Sequence, residues 1–250
     1  MNAIFITVRT GSTRLPNKSL MQIGGKTTIE HLIGRIKRSK KADAIILCTT
    51  TLDSDDVLCE MAARNGILYF RGSAPDKLER WNGACQKFGV DFFVTADGDD
   101  LFCDSHLIDL AFTQYEESDR KIDFIKSDDV ICGAFTYAIK AKALEKVCEI
   151  KYTDDTEMMW VYFTDTGLFE VQTLQNVEAL YCRDDIRMTL DYDDDFEFFK
   201  NIIDFFGEKN YTLKDIVSYI DKNPHVKQIN FHRHQEWAQN QKNKTKLVLK

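Results

Sequence analysis

The sequence predicts an α/β protein with a Rossmann-like three-layer sandwich, in which a mostly parallel sheet lies between helices and carries a small inserted subdomain. Strand-like and helix-like apolar patterns alternate along the chain, which is typical of a parallel sheet with helices on both faces. Residues 90–96 are apolar except for Asp91 and Thr95, as expected of a central strand buried on both sides. The 250 residues, 44% of them hydrophobic, suffice for one such domain with a sizeable core.

The predicted elements follow in order along the chain. The first strand covers residues 3–8, and the next segment is a helix because Ile29, Leu32, Ile33 and Ile36 recur at helical spacing. The remaining elements of the first half are a strand at 44–50, a helix at 54–64, a strand at 67–70, a helix at 75–88 and the central strand at 90–96. Those of the second half are strands at 122–125, 131–139 and 168–174, a helix at 141–148, an amphipathic segment at 153–163, and helices at 194–206 and 212–222. We predict one domain over residues 1–225, with 126–182 as an insert, and a C-terminal extension at 226–250 with a solvated basic end.

A cationic loop follows the first strand directly. Gly11 and Ser12 leave backbone N–H groups free to contact an anion, and Arg9, Arg14 and Lys18 can neutralise its charge. The loop has neither the Gly-Lys-Ser/Thr ending of the Walker pattern nor the three glycines of the dinucleotide fingerprint. It therefore predicts a phosphate site of another kind.

Polar residues also lie at the carboxyl ends of two further predicted strands, at Thr49–Thr51 and at Asp97–Asp100. Ligands of open α/β sheets bind beyond the carboxyl ends of the strands. We therefore expect one crevice to hold the cationic loop, the threonines and the aspartates.

These segments together carry a family resemblance. Residues 9–18 resemble the N-terminal signature of the cytidylyltransferases, most closely the type that acts in spore-coat polysaccharide biosynthesis, whose relatives activate acidic sugars as CMP-sugars. Four further segments resemble family elements in the same order: residues 45–51 with Asp55 and Asp56, residues 70–73 with the helix after them, residues 98–104 and residues 187–191. The sequence departs from the family at Leu101, a usual proline position, and at Asp97, where relatives carry an uncharged residue.

The resemblance implies CTP-dependent transfer of CMP to an acidic acceptor, with release of pyrophosphate, for cell-surface glycan biosynthesis by a homodimer. The acceptor is an acidic sugar of the nonulosonate or ulosonate kind, or a phosphonate or alkyl phosphate, and the charge pattern does not choose between them. The insert at 126–182 is then expected to bind the acceptor or to form the dimer interface.

Magnesium is the implied cofactor, since it prefers oxygen ligands and sits between carboxylates and substrate phosphates. The resemblance assigns Asp99 and Asp191 as its ligands. Asp97 and Asp193 remain alternatives, because a shift of two residues along a strand keeps the same face. An acidic run such as Asp193–Asp195 also caps the helix that it opens.

The remaining roles follow from the proposed chemistry. Without a covalent intermediate, Arg14 and Lys18 are the catalytic candidates, because cations positioned at the α-phosphate act most strongly in the transition state. The expected nucleotide-binding residues are Arg9, Gly11, Ser12, Thr49, Thr50 and Asp97. For the acceptor's acid group we predict Arg71 and Arg187, although Arg187 can equally pair with Asp184 or Asp185.

The composition favours a cytoplasmic enzyme. A net charge of −7 argues against nucleic-acid binding, and no apolar run reaches the length of a membrane span. No two of the seven cysteines have the C-x-x-C spacing of a zinc or redox site, so we expect them to be reduced. Two alternatives remain: a glycosyltransferase with its metal on Asp97-Gly98-Asp99, or a non-catalytic nucleotide-binding subunit. The Arg14/Lys18 pair favours the cytidylyltransferase, since a glycosyltransferase has no triphosphate to hold.

Overall fold

The computed structural model describes residues 1–12 and 14–250, and its centre is a seven-stranded, mostly parallel sheet. The strands of this sheet are β1 (Asn2–Thr7), β4 (Ala44–Thr50), β5 (Leu68–Gly72), β6 (Phe92–Asp97), β7 (Phe124–Lys126), β8 (Tyr137–Lys140) and β9 (Val171–Thr173), and a separate hairpin consists of β2 (Gln22–Ile23) and β3 (Lys26–Thr27). Across the sheet the order is β5-β4-β1-β6-β8-β7-β9. Only β8 runs antiparallel to its neighbours β6 and β7. The predicted α/β fold with a mostly parallel sheet is confirmed.

Helices cover both faces of this sheet, which makes the three predicted layers. They are α1 (Thr28–Ile36), α2 (Asp56–Arg64), α3 (Lys77–Phe88), α4 (Ser105–Glu117), α5 (Ala141–Ile150), α6 (Val161–Thr164), α7 (Asp193–Phe206), α8 (Leu213–Lys222), α9 (Pro224–Gln228) and α10 (His234–Lys244). The alternation along β1 shows the arrangement. Ile4 and Ile6 belong to one hydrophobic core, with α1, α4 and α7, whereas Ala3 and Phe5 belong to the other, with α3 and α5.

The predicted strands at 131–139 and 168–174 are shorter than expected, because the first is a strand only over β8 and the second only over β9. Outside the strands, Cys132 and Arg187 form a single parallel bridge. The two bridged segments come very close at Gly133, whose φ is +87° and whose Cα lies so near Met188 that a Cβ would be 2.0 Å from the Met188 carbonyl oxygen. Such an approach is closer than the spacing of strands in a regular ladder.

The predicted insert and C-terminal extension both join the main body. Strands β8 and β9 of the insert belong to the seven-stranded sheet. The basic end is exposed, as expected, and its last residues also pair with the end of α5: Lys250 N donates to the Ile150 carbonyl, and Tyr152 N donates to the Val248 carbonyl. Within the described residues, no helix combines the length and apolar character that crossing a membrane requires.

Candidate active site

A cavity of about 870 Å³ opens at the carboxyl ends of β1 and β6. The ends of β1 and β6 lie close together there because Gly98 follows β6 directly. A Cβ on Gly98 would lie 2.7 Å from the Val8 Cβ, so only a glycine lets the end of β6 pass the end of β1. The predicted residues that line this cavity are Arg9, Gly11, Ser12, Arg14, Lys18, Asp97, Asp99 and Asp191.

Lys18 lies at the centre of this group. Its ammonium donates to Asp99 Oδ2 at 2.7 Å, to Asp191 Oδ1 at 2.8 Å and to the Leu190 carbonyl at 2.7 Å. Arg14 Nη2 donates to the same Asp191 oxygen at 2.6 Å. Residues 173 positions apart in the chain therefore meet at one point of the cavity.

Attraction between opposite charges shifts the pKa values of Lys18 and Asp191 in this cluster. Burial alone would lower the pKa of Lys18, but the carboxylates of Asp99 and Asp191 outweigh burial and hold that pKa above its ordinary value. Burial would likewise raise the pKa of Asp191, yet Lys18 and Arg14 bring it down to about 2. Lys18 and Asp191 are therefore both charged at neutral pH. Among the described residues the buried Arg14 Nε has no hydrogen-bond acceptor, which leaves one N–H of this guanidinium for a ligand.

The donor set beside Lys18 fits magnesium. One carboxylate oxygen from each of Asp97, Asp99 and Asp100 lies within 4.8 Å of the other two, and all three residues line the cavity with Asp191. Burial raises the pKa of Asp97, against the attraction of Lys77, and burial with the neighbouring aspartates raises that of Asp100 well above its ordinary value. A divalent cation would relieve this repulsion between like charges.

Asp193, the alternative ligand, is an exposed residue at the first position of α7. The predicted capping role holds for Asp195, which accepts from the backbone N–H of Tyr192 at 3.0 Å. Asp191, two residues before the helix, lines the cavity.

Arg187 is not placed as predicted. Its side chain is fully buried and donates through Nε and Nη2 to the two oxygens of Asp195, at 3.0 and 3.1 Å. Asp195 also accepts from the backbone N–H of Asp191 at 2.8 Å. The guanidinium therefore supports the backbone that carries Asp191, and its partner is neither Asp184 nor Asp185. Because Arg187 is buried and paired with Asp195, the structure does not support its predicted contact with the acceptor.

Asn230 completes this support from the C-terminal extension. It is fully buried and donates to the Arg187 carbonyl at 3.0 Å and to Asp195 Oδ1 at 2.9 Å.

Asn230→Ala leaves a buried carbonyl and a buried carboxylate each short of one donor, so we expect the free energy of unfolding to fall by about 1–3 kcal/mol. Urea denaturation measures this loss. The matched variant Asn243→Ala, on the exposed side of α10, should change the free energy of unfolding by less than about 0.5 kcal/mol. Equal losses in both variants would contradict the supporting role.

Thr49 and Thr50 are also placed differently from the prediction. Both are fully buried, and the Thr49 hydroxyl donates to Asp55 Oδ2 at 3.0 Å, as does that of Thr50. Asp55 in turn accepts from the N–H and hydroxyl of Thr10, at 2.8 and 2.7 Å. The threonines thus anchor the cationic loop through Asp55 and do not line the cavity.

Arg71 lies beside this anchor, away from the cavity. Its guanidinium donates to the carbonyls of Thr50 and Leu52, both at 3.0 Å, and pairs with Asp56. The predicted acceptor contact of Arg71 therefore has no support in the structure.

Several cavity residues were not foreseen from the sequence. Lys77 begins α3, Glu157 comes from the insert, and Trp237 and Lys244 come from α10. In the insert, Trp160 lines the cavity, whereas Tyr162 and Phe163 are core residues. No local pattern marks Glu157 or Lys244, because their neighbours in space are far away in sequence.

A mostly parallel sheet with a cationic loop after β1 and carboxylates after β6 is the architecture of this nucleotidyltransferase fold. The family model for cytidylyltransferases matches residues 3–235, and the chain belongs to that family.

The chain is also similar to individual proteins. The chain is 32% identical to an uncharacterized protein of Methanocaldococcus jannaschii, over 90% of this chain and 92% of the relative. It is 25% identical to the spore coat polysaccharide biosynthesis protein SpsF of Bacillus subtilis, over 88% and 93%. A 3-deoxy-manno-octulosonate cytidylyltransferase of Anaeromyxobacter dehalogenans is 28% identical over 43% of this chain and 44% of its own.

A solved cytidylyltransferase structure from Leptospira borgpetersenii superposes with a TM-score of 0.82 and 28% identity, over 90% of this chain and 95% of that one. The predicted family, fold and class of enzyme are therefore confirmed.

Proposed function

We propose that this protein transfers CMP from CTP to an acidic sugar or a related acidic acceptor and releases pyrophosphate. The observation that carries the proposal is the Lys18 ammonium held between Asp99 and Asp191, with Arg14 on the same carboxylate. Cations and metal-binding carboxylates at one point are what a triphosphate requires for reaction at its α-phosphorus.

In the proposed reaction, an acceptor oxygen attacks the α-phosphorus, a new phosphorus–oxygen bond forms, and the bond to the β-phosphate oxygen breaks. Pyrophosphate takes the electron pair, and the acceptor's proton passes to water. Gly11 and Ser12 would contact the phosphates, while Lys18 and Arg14 donate to the α-phosphate and the departing pyrophosphate. Asp99 and Asp191, with Asp97 nearby, would hold magnesium, whose charge neutralises the phosphate oxygens when it is bound.

The acceptor class rests on charge and on relatives. Cations in the cavity suit an anionic acceptor, one relative is named for spore coat polysaccharide biosynthesis, and another for cytidylyl transfer to an octulosonate. We extend this to cell-surface glycan biosynthesis by a cytoplasmic homodimer. The assembly and the location stay predictions.

The assay that tests this function follows pyrophosphate release with CTP, UTP, GTP and dTTP against nonulosonates, ulosonates, phosphonates and alkyl phosphates. We expect turnover with CTP and one class of acidic acceptor, and a preference for CTP over UTP of about 10²-fold or more. A site that hydrogen-bonds one base edge leaves buried groups unpaired with the wrong base. The Thr49 and Thr50 hydroxyls face Asp55, so backbone groups are the expected readers of cytosine. Equal turnover with UTP would contradict cytosine recognition, and no pyrophosphate with any pair would contradict the proposed reaction.

A further inference from the structure

We propose that Arg9, Lys77 and Lys244 form an anion-binding subsite in the cavity that binds the carboxylate of the acidic acceptor. The proposal deepens the proposed function and rests on it. In the structure a carboxylate of the chain itself lies there: Arg9 Nη2 is 3.3 Å from Glu157 Oε2, and Lys244 Nζ is 3.6 Å from Glu157 Oε1. Lys77 lines the same cavity.

The three cations come from distant parts of the chain. Arg9 follows β1, Lys77 is the first residue of α3, and Lys244 is the last residue of α10. Like charges repel, so Arg9 and Lys244 are held near each other by the Glu157 carboxylate that pairs with both. Burial would raise the pKa of Glu157, yet Lys244, Arg9 and Lys77 hold it below its ordinary value. Glu157 is therefore the negatively charged partner of this subsite.

A ligand can replace Glu157. The side chains of Arg9, Glu157 and Lys244 are 43%, 40% and 44% exposed. Exposed ion pairs contribute little to stability, and the glutamate can turn into water when another carboxylate arrives. The incoming carboxylate has the same charge and the same two oxygens as that of Glu157, so the three cations can stay in place. Arg9 can bind both oxygens at once, a geometry in which guanidinium and carboxylate match.

The position of the subsite favours the acceptor over the nucleotide. Lys77 Nζ is 4.0 Å from Asp97 Oδ1, so the subsite borders the aspartate group beside Lys18. Trp160 and Trp237 also line the cavity, and their rings suit the carbon skeleton of a sugar. A carboxylate held here would set the acceptor beside the phosphate site. Arg9, which the sequence predicted to bind the nucleotide, would then bind the second substrate.

The test uses pyruvate, a small carboxylate, with no nucleotide present, and follows the indole N–H signals of ¹⁵N-tryptophan-labelled protein by NMR. We expect weak saturable binding to the wild type, at least about 5-fold tighter binding to Glu157→Gln, and about 10-fold weaker binding to Lys244→Ala. Lys246→Ala removes the same charge outside the cavity and should match the wild type. Methyl pyruvate, which lacks the charge, should not bind.

A second titration, in saturating CTP, separates the two sources of negative charge. Pyruvate binding should persist there, because the nucleotide occupies the Arg14 and Lys18 side of the cavity. Displacement of pyruvate by CTP would assign Arg9 and Lys244 to the outer phosphates and overturn the proposal. Unaltered pyruvate binding by Lys244→Ala, or no binding by Glu157→Gln, would also overturn it. None of these readouts needs turnover, so a failure of the proposed reaction leaves them intact.

Discussion

Asp99→Ala is expected to abolish magnesium-dependent turnover while leaving the fold intact. The Asp99 side chain is 25% exposed and faces the cavity, and Lys18 keeps its pair with Asp191 when Asp99 is lost, so no buried charge is left unpaired. It does remove one of the two carboxylates that meet at Lys18 and that would hold the metal. Pyrophosphate release over a magnesium titration measures the effect, circular dichroism checks the fold, and chelation of the metal should reproduce the loss in the wild type.

Asp191 should show the same loss of turnover with an added cost in stability. Asp191 is buried, and Asp191→Ala leaves Lys18 and Arg14 without their common partner. Removing one partner of a buried ion pair costs about 3–5 kcal/mol, so Asp191→Asn, which preserves the side-chain volume, is the better variant for kinetics.

Two neighbouring aspartates, one a control and one an alternative ligand, test the metal assignment further. Asp193→Ala should be nearly silent, because Asp193 is exposed at the start of α7. Asp97→Ala tests the alternative ligand two residues before Asp99. If Asp99→Ala and Asp191→Asn both keep activity within about tenfold of the wild type, or ~1.4 kcal/mol of barrier, the metal assignment is contradicted.

Lys18→Ala and Arg14→Ala are the second pair with large expected effects. Each should lower kcat by about 10²-fold and change the apparent KM for CTP much less, because charge on the α-phosphate and on pyrophosphate grows toward the transition state. Steady-state kinetics at low and high ionic strength measures both constants.

Lys26→Ala is the matched control, since Lys26 is an exposed cation on β3 outside the cavity. The competing account treats Arg14 and Lys18 as surface charges that only steer the anion. It predicts modest changes in KM that vanish at high salt. A normal kcat for Lys18→Ala would remove the catalytic role of the loop even if CTP binds there.

The parts of the site that were predictable depend on local patterns. An apolar strand followed by glycine, serine and cations predicts an anion site. Asp99 follows a buried central strand, so the cationic loop and Asp99 were expected at the same edge of the sheet. The structure places Arg14, Lys18, Asp99 and Asp191 together there.

The errors concern side-chain direction and long-range pairing. Position at a strand end predicted Thr49 and Thr50 at the crevice, but their hydroxyls turn to Asp55, and only tertiary packing decides that direction. Arg187 pairs with Asp195, for which the sequence predicted only a helix-capping role.

No local sequence pattern predicted the parts of the cavity wall that come from α10 and from Glu157. Lys244 and Glu157 lie 87 positions apart, and neither stands in a recognisable motif.

Positional labelling of CTP tests the central claim most directly. In parallel reactions with [α-³²P]CTP and [γ-³²P]CTP and the acceptor identified in the assay, the account predicts that the α-label enters the acceptor product and that the γ-label is recovered entirely as pyrophosphate, in equal amounts. Lys18→Ala should slow both labels together. Transfer of the γ-label to the acceptor, or CMP-free product with intact CTP, would contradict cytidylyl transfer by this cavity.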